Sequence, residues 1–252
     1  MDLPLPHDDF ESVGILEPAE IYRPRDIPDA AVLCFFPEVV RQLAQRPDAR
    51  QAAMLRSEIG PNPVWEIEHE GKRLAVLQPG VGAPLAAMFT EEIIAYGVRK
   101  MIACGAAGAL VPELALGHAV IVDSAVRDEG TSFHYQPAAP VIEADPHATA
   151  TLLKTLTEQE IPHLVSRTWT TDAIYRETRG RARQRVEEGC VVVDMEAAAL
   201  FAVARYRGVV LGQLLLAGDS LAGDTWDHRG WTTAHSAREK LFWLAADAAV
   251  AL

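Results

Sequence analysis

Positive charge is scarce in this chain. Its 252 residues carry 23 lysines and arginines against 35 aspartates and glutamates, a formal net charge of −12. That balance argues against a polyanion-binding surface as the main function and against nucleic acid or anionic membrane as partners. Long apolar runs are also missing. Stretches such as 191–193 and 209–217 fall short of the roughly 20 residues a membrane helix needs. Residues 1–29 lack the basic start and apolar middle of a secretory signal and carry Asp2, Asp8, Asp9, Glu11, Glu17 and Glu20 instead. Cysteine is limited to Cys34, Cys104 and Cys190, each alone among apolar neighbours, which fits a reducing, cytoplasmic setting and three small core residues. Internal repeats, low-complexity segments and charge runs are absent. What remains is a chain long enough to bury one substantial core.

The pattern along the chain divides it at about residue 30. Residues 1–29 read as an irregular leader, because Pro4, Pro6, Pro18, Pro24 and Pro28 remove amide donors. From 30 to 252 a single domain is expected. Strands are predicted at 31–36, 64–69, 73–78, 98–104, 118–126, 164–169, 190–193 and 209–216. Helices are predicted at 39–45, 85–96, 146–159, 195–206 and 233–250, with helical composition in the charged segment 176–188. Strands alternating with helices point to a three-layer α/β/α fold with a central sheet.

In such sheets, ligands sit beyond the carboxyl ends of strands. Four segments that read as strand-end loops carry candidate chemistry. Gly80-Val-Gly82 and Gly105-Ala-Ala-Gly108 are poor in side chains, so backbone amides at Gly82, Gly105 and Ala106 can approach a ligand, or the segments are simply tight turns. Neither has Walker or Rossmann spacing. In Val193-Asp-Met-Glu196, two carboxylates flank Met195 at a strand-to-helix junction. Burying Asp194 and Glu196 is costly unless donors such as vicinal sugar hydroxyls bind them, although a glutamate at a helix start is favoured by the dipole alone. Asp219, after the apolar run 209–216, reads either as a general acid or as a turn cap. Asp224, Asp227 and His228 have letters that suit a metal, but a polar loop gives the same letters, and no metal is expected. Trp226 and Trp231 either wall a pocket or pack under that loop. His134-Tyr135 and Ile174-Tyr175 lie in irregular segments and either offer side chains to stack on a flat base or fill a satellite core. The arginines and glutamates of 176–188, Glu177 included, read as a solvated helix face.

Taken together, Val193-Asp-Met-Glu-Ala-Ala-Ala-Leu200, Gly80-Val-Gly-Ala-Pro84, Cys104-Gly-Ala-Ala-Gly-Ala-Leu110 and Ser124-Ala-Val-Arg-Asp-Glu-Gly-Thr-Ser-Phe-His-Tyr135 carry a resemblance. From about Ala31 onward the chain resembles the nucleoside phosphorylase superfamily, in its uridine phosphorylase and bacterial purine nucleoside phosphorylase branch. The resemblance implies that Glu196 binds the ribose hydroxyls and Met195 packs under the sugar. Val193, Ile174 and Tyr175 would line the base pocket, and Asp219 would protonate a purine ring nitrogen. It also implies a homodimer or a dimer-based hexamer, a nucleoside as the small-molecule substrate, no organic cofactor, and inorganic phosphate as a candidate co-substrate.

Several positions depart from the family pattern. The Pro-Gly-Asp-Pro-x-Arg loop that relatives carry after the first strand is replaced by Cys34-Phe-Phe-Pro-Glu-Val-Val-Arg41, and the family's Arg and Ser around the small-residue segment are Ala103 and Ala106. Phosphate dianions are held by Arg forks and hydroxyls, so these losses weaken a phosphate site. Arg56 is the candidate for an arginine lent by a neighbouring subunit, and Arg41 and Arg127 are the other candidate substitutes. Related nucleosidases place a carboxylate after the first strand to orient water, and Glu38 lies close to that position. N-glycosidic cleavage by phosphorolysis and by hydrolysis therefore stand level, with a non-catalytic nucleoside-binding protein as the alternative. His7 is a candidate for reaching a neighbour's 5′-hydroxyl.

Overall fold

A computed structural model describes residues 5, 8–10 and 13–252; the expectation for His7 falls outside them. One helical turn, α1 (Pro18–Ile21), precedes the body. The body then runs β1 (Ala30–Cys34), α2 (Pro37–Leu43), β2 (Arg50–Ser57), β3 (Gly60–His69), β4 (Lys72–Leu77), α3 (Ala83–Tyr96), β5 (Lys100–Ala109) and β6 (Ala119–Asp128). It continues with β7 (Val141–Glu143), α4 (Pro146–Glu158), β8 (His163–Thr171), α5 (Arg179–Glu187), β9 (Cys190–Asp194), α6 (Ala197–Arg207), β10 (Val210–Ser220) and α7 (His235–Ala251).

The expected three-layer α/β architecture is present, with a mixed central sheet. Its order is β10-β6-β8-β9-β5-β1-β4-β3-β2, and β5 also pairs with β10, so β5, β9, β8, β6 and β10 form a closed ring. Closure depends on the length of β5. Its first half pairs in parallel with β1, its last residues Gly108 and Ala109 pair antiparallel with β9, and its other edge follows β10 throughout. Alternating side chains divide the core between the two faces of the sheet. Leu33, Met101, Leu211 and Leu215 pack with α3 and α6, whereas Val32, Ile102, Leu214 and Leu216 pack with α2, α4 and α7.

The structure corrects the sequence reading in two places that matter for the site. Residues 105–108 are not a loop but the interior of β5, and residues 217–220 belong to β10. The small residues of β5 answer to close packing. A Cβ on Gly105 would lie 3.1 Å from the Phe35 ring, and one on Gly108 would lie 2.6 Å from Leu221 and 2.9 Å from Val193. In β10 the pairing with β5 shifts register between Ala217 and Ser220, an irregularity of the kind that re-aims a side chain, here around Asp219. Strands β2 and β7 had no counterpart in the sequence reading.

Candidate active site

A cavity of about 600 Å³ opens at the strand ends. The end of β9 and the turn after β4 build one side of it. Gly80 and Gly82, at φ of 81° and 92°, turn β4 into α3, and side chains rarely adopt that conformation. The turn aims the Gly82 N–H at Glu196, which accepts it on Oε1 at 2.7 Å, while Oε2 accepts the Met195 N–H at 3.3 Å. The Glu196 carboxylate is thus fixed on the cavity wall with Met195 beside it.

Asp194 also touches the cavity, but its oxygens are already engaged. Oδ2 accepts the N–H groups of Glu196 and Ala197 at 3.0 and 2.6 Å, and Oδ1 accepts the hydroxyls of Thr168 and Thr170 at 3.1 and 2.9 Å. These bonds start α6 and tie it to β8. Asp194 is a structural anchor, and the expected pairing of this carboxylate with sugar hydroxyls gives way to four protein donors. Its charge nonetheless reaches Glu196. Burial, followed by the neighbouring Asp194, pushes the Glu196 carboxyl up to about 8.

The remaining wall carries Val193, Asp219, Glu177, Ile174, Tyr175, Trp226 and Trp231. The spot that a Gly108 side chain would occupy lies 2.9 Å from Val193 Cγ1 and 3.7 Å from Asp219 Oδ1, which sets Asp219 close to Val193. Glu196 follows Val193 by three residues, at most about 10 Å of chain. The Trp226 indole donates to Asp219 Oδ2 at 2.6 Å, so this tryptophan walls the cavity and orients the acid. Tyr175, 96% exposed, stands at the mouth.

Glu177 is the residue the sequence reading missed most clearly. It is half-buried, and desolvation, reinforced by the charge of Asp219, pushes its carboxyl up to about 7. No residue of α5 is buried, and the helix is fastened by Arg181 and Arg185, which reach Asp128 and lie over the Trp169 ring. Gln213 and Arg238 also line the cavity and were not anticipated.

Other expected site residues lie elsewhere. Glu38 does not face the cavity. Its Oε1 lies 2.7 Å from Arg238 NH1, so it neutralises the cation that does. Arg41 is exposed and donates to the Pro37 carbonyl. Arg127 is buried, and its guanidinium is taken up by Ser132, Gln136 and Pro137 over the Phe133 ring. Arg56 and His134 line a second cavity of about 930 Å³ beside α1 and α3. Within one chain, therefore, none of the three arginines proposed for phosphate lines the first cavity. Gly105 and Ala106 do line it, as part of β5. Around Asp227 and His228 the polar groups serve turns: Asp227 accepts the Arg229 N–H and His228 accepts the Gly230 N–H, each at 3.1 Å. Among the described residues no helix is long and apolar enough to cross a membrane.

Comparison with known proteins bears on the family and the fold. A guanosine phosphorylase from Halorubrum lacusprofundi is 30% identical over 169 residues, 63% of this chain and 68% of that protein. The Escherichia coli uridine phosphorylase is 24% identical over 164 residues, 60% of this chain and 65% of the relative. The chain thus aligns with about two thirds of the length of these relatives. Among solved structures, a uridine phosphorylase from Vibrio fischeri superposes with a TM-score of 0.77 at 20% identity, covering 92% of this chain and 95% of that one. A purine nucleoside phosphorylase from Toxoplasma gondii, in complex with immucillin-H, gives the same TM-score and identity over 89% of this chain and 91% of its own. The family model of the phosphorylase superfamily matches residues 29–247, and this chain belongs to that superfamily.

Proposed function

We propose that this cavity binds a purine or uridine-like nucleoside and cleaves its N-glycosidic bond. The observation that carries the reading is the pairing of two differently held carboxyl sets in one cavity. Glu196 is fixed by the Gly82 and Met195 amides, and Glu177 stands with Asp219 beside Val193. Ionised Glu196 accepts hydrogen bonds from the ribose hydroxyls and holds the sugar as positive charge develops at its anomeric carbon. Glu177, raised by burial and by the charge of Asp219, holds a proton near neutrality and delivers it to the departing base, which then leaves neutral. Trp226, Trp231 and Ile174 supply apolar surface for a flat ring. The relatives named above are phosphorylases of guanosine, uridine and purine nucleosides, which supports a nucleoside as substrate.

Base release from a panel of purine and pyrimidine nucleosides, measured with and without phosphate, tests the reading. Release of a base is expected; stoichiometric binding of intact nucleoside without consumption overturns it. The pH dependence adds a sharper expectation. Activity requires Glu196 ionised, a group pushed up to about 8, and Glu177 protonated, a group pushed up to about 7. Because the acid has the lower value, the active form is a minority species, and kcat/KM is bell-shaped with its maximum between pH 7 and 8. Glu177→Gln abolishes the alkaline limb, leaving a slower reaction that rises to a plateau above about pH 8. An unchanged bell in that variant removes Glu177 from the mechanism.

A further inference from the structure

The run Val209-Val-Leu-Gly-Gln-Leu-Leu-Leu216 contains one polar side chain, Gln213. It is 0% exposed, and neither its Oε1 nor its Nε2 has a hydrogen-bond partner among the described residues. Its neighbours in the sheet offer none. In register it faces Ala103 on β5 and Val122 on β6, both fully buried and apolar. A buried carboxamide left unpaired costs free energy, and native interiors rarely retain one without use. The one polar outlet available to Gln213 is the cavity it lines.

The register gives this amide a meaning. Ala103 is the position where the family resemblance puts a phosphate-binding arginine, so Gln213 stands beside the place that has lost its cation. The charge around it suits a neutral guest. Glu177, Asp194, Glu196 and Asp219 line the cavity against one guanidinium, Arg238, whose NH1 is 2.7 Å from Glu38. A phosphate dianion meets acidic walls, and of Gln213 only the amide N–H groups can serve it. A water molecule can donate to that oxygen and accept from the amide, satisfying both orphaned groups.

We propose that Gln213 is the acceptor-binding residue of this site, and that the acceptor it holds is water. The inference rests on the nucleoside-cleaving reading above. In the step, the water oxygen bonds to the anomeric carbon as the C–N bond breaks, and the bonding pair leaves with the base. The base nitrogen takes the proton held by Glu177. The attacking water loses one proton to solvent, and solvent reprotonates Glu177. Gln213 itself exchanges no proton; it fixes the water's position and orientation.

The test compares wild type with Gln213→Leu, which keeps the volume and removes the orphaned polar atoms. Wild type is expected to release base at a rate independent of added phosphate. In Gln213→Leu, kcat falls about 10- to 100-fold, the range expected from misplacing a reactant, while KM for the nucleoside stays within about twofold. The variant's melting temperature is expected to equal or exceed that of wild type, so a folding defect would be visible. A wild-type kcat in the variant overturns the role of Gln213. Release that requires phosphate leaves bond cleavage standing and overturns water as the acceptor. No release from any nucleoside, with or without phosphate, overturns the cleavage reading and this inference with it.

Discussion

Glu196→Gln lowers kcat/KM by at least about 30-fold, equivalent to roughly 2 kcal/mol of transition-state stabilisation, the scale of a lost charged acceptor. The substitution is close to isosteric, yet the glutamine has one acceptor where the carboxylate has two. In the native site, Oε1 takes the Gly82 N–H and Oε2 takes the Met195 N–H. The amide must turn its NH₂ toward one of these donors or toward the sugar hydroxyls, which also donate. The loss should fall more on kcat than on KM, because the carboxylate's charge gains most as the sugar becomes cationic. The pH profile supplies a second readout. With Glu196 no longer titrating, the bell becomes a single limb that descends as pH rises through about 7, the value to which burial pushes Glu177. A Glu196→Gln enzyme with wild-type kcat/KM, or one that keeps both limbs, sinks the assignment.

Much of the scaffold was legible because its signals are local. The turn at Gly80-Val-Gly82 is written in positive-φ glycines, and most predicted strands and helices appear within a few residues of their expected bounds. Strand β2 was not legible. Arg50-Gln-Ala-Ala-Met-Leu-Arg-Ser57 has helix-favouring letters and buries only Ala53 and Leu55; it is a strand because β3 pairs with it. The segment Gly105–Gly108 is ambiguous for another reason. Small residues serve an exposed loop and a tightly covered strand equally well, and the Phe35 and Leu221 side chains that decide the matter come from distant sequence.

The candidate site divides along the same line. Glu196, Met195, Val193 and Asp219 were found because a strand-to-helix junction and an acid after an apolar run are contiguous patterns. Glu177 was hidden because its letters match a solvated helix, and its burial arises from tertiary contacts. The signal that could have found Gln213 was present: a lone amide in an eight-residue apolar stretch asks what it bonds to. Arg238 gave no such signal, since a guanidinium on α7 reads as surface until Phe36 and Trp231 are seen around it. The overall acidity of the chain therefore has a local counterpart. Among the described residues the cavity's one lining cation is paired with Glu38, while Arg41 and Arg127 are bonded elsewhere and Arg56 lines the second cavity.

Asp194→Ala is expected to destabilise the fold by about 3 kcal/mol or more, in line with breaking a buried network around a charged acceptor. Four donors lose their acceptor at once: the N–H groups of Glu196 and Ala197 at the start of α6, and the hydroxyls of Thr168 and Thr170 on β8. Chemical denaturation measures the loss, and a midpoint equal to wild type overturns the anchoring role. Asp194→Asn separates the structural part from the electrostatic part. Its carbonyl keeps one pair of bonds and its amide can donate to a threonine oxygen, so the stability cost is smaller, about 1–2 kcal/mol. The negative charge that helps raise the Glu196 carboxyl to about 8 is gone, however. Glu196 then ionises at lower pH, a larger fraction of the enzyme holds ionised Glu196 together with protonated Glu177, and the bell in kcat/KM moves to lower pH. A profile that stays in place in Asp194→Asn would mean that burial alone sets the protonation of Glu196, and that the two carboxylates are neighbours without being electrostatic partners.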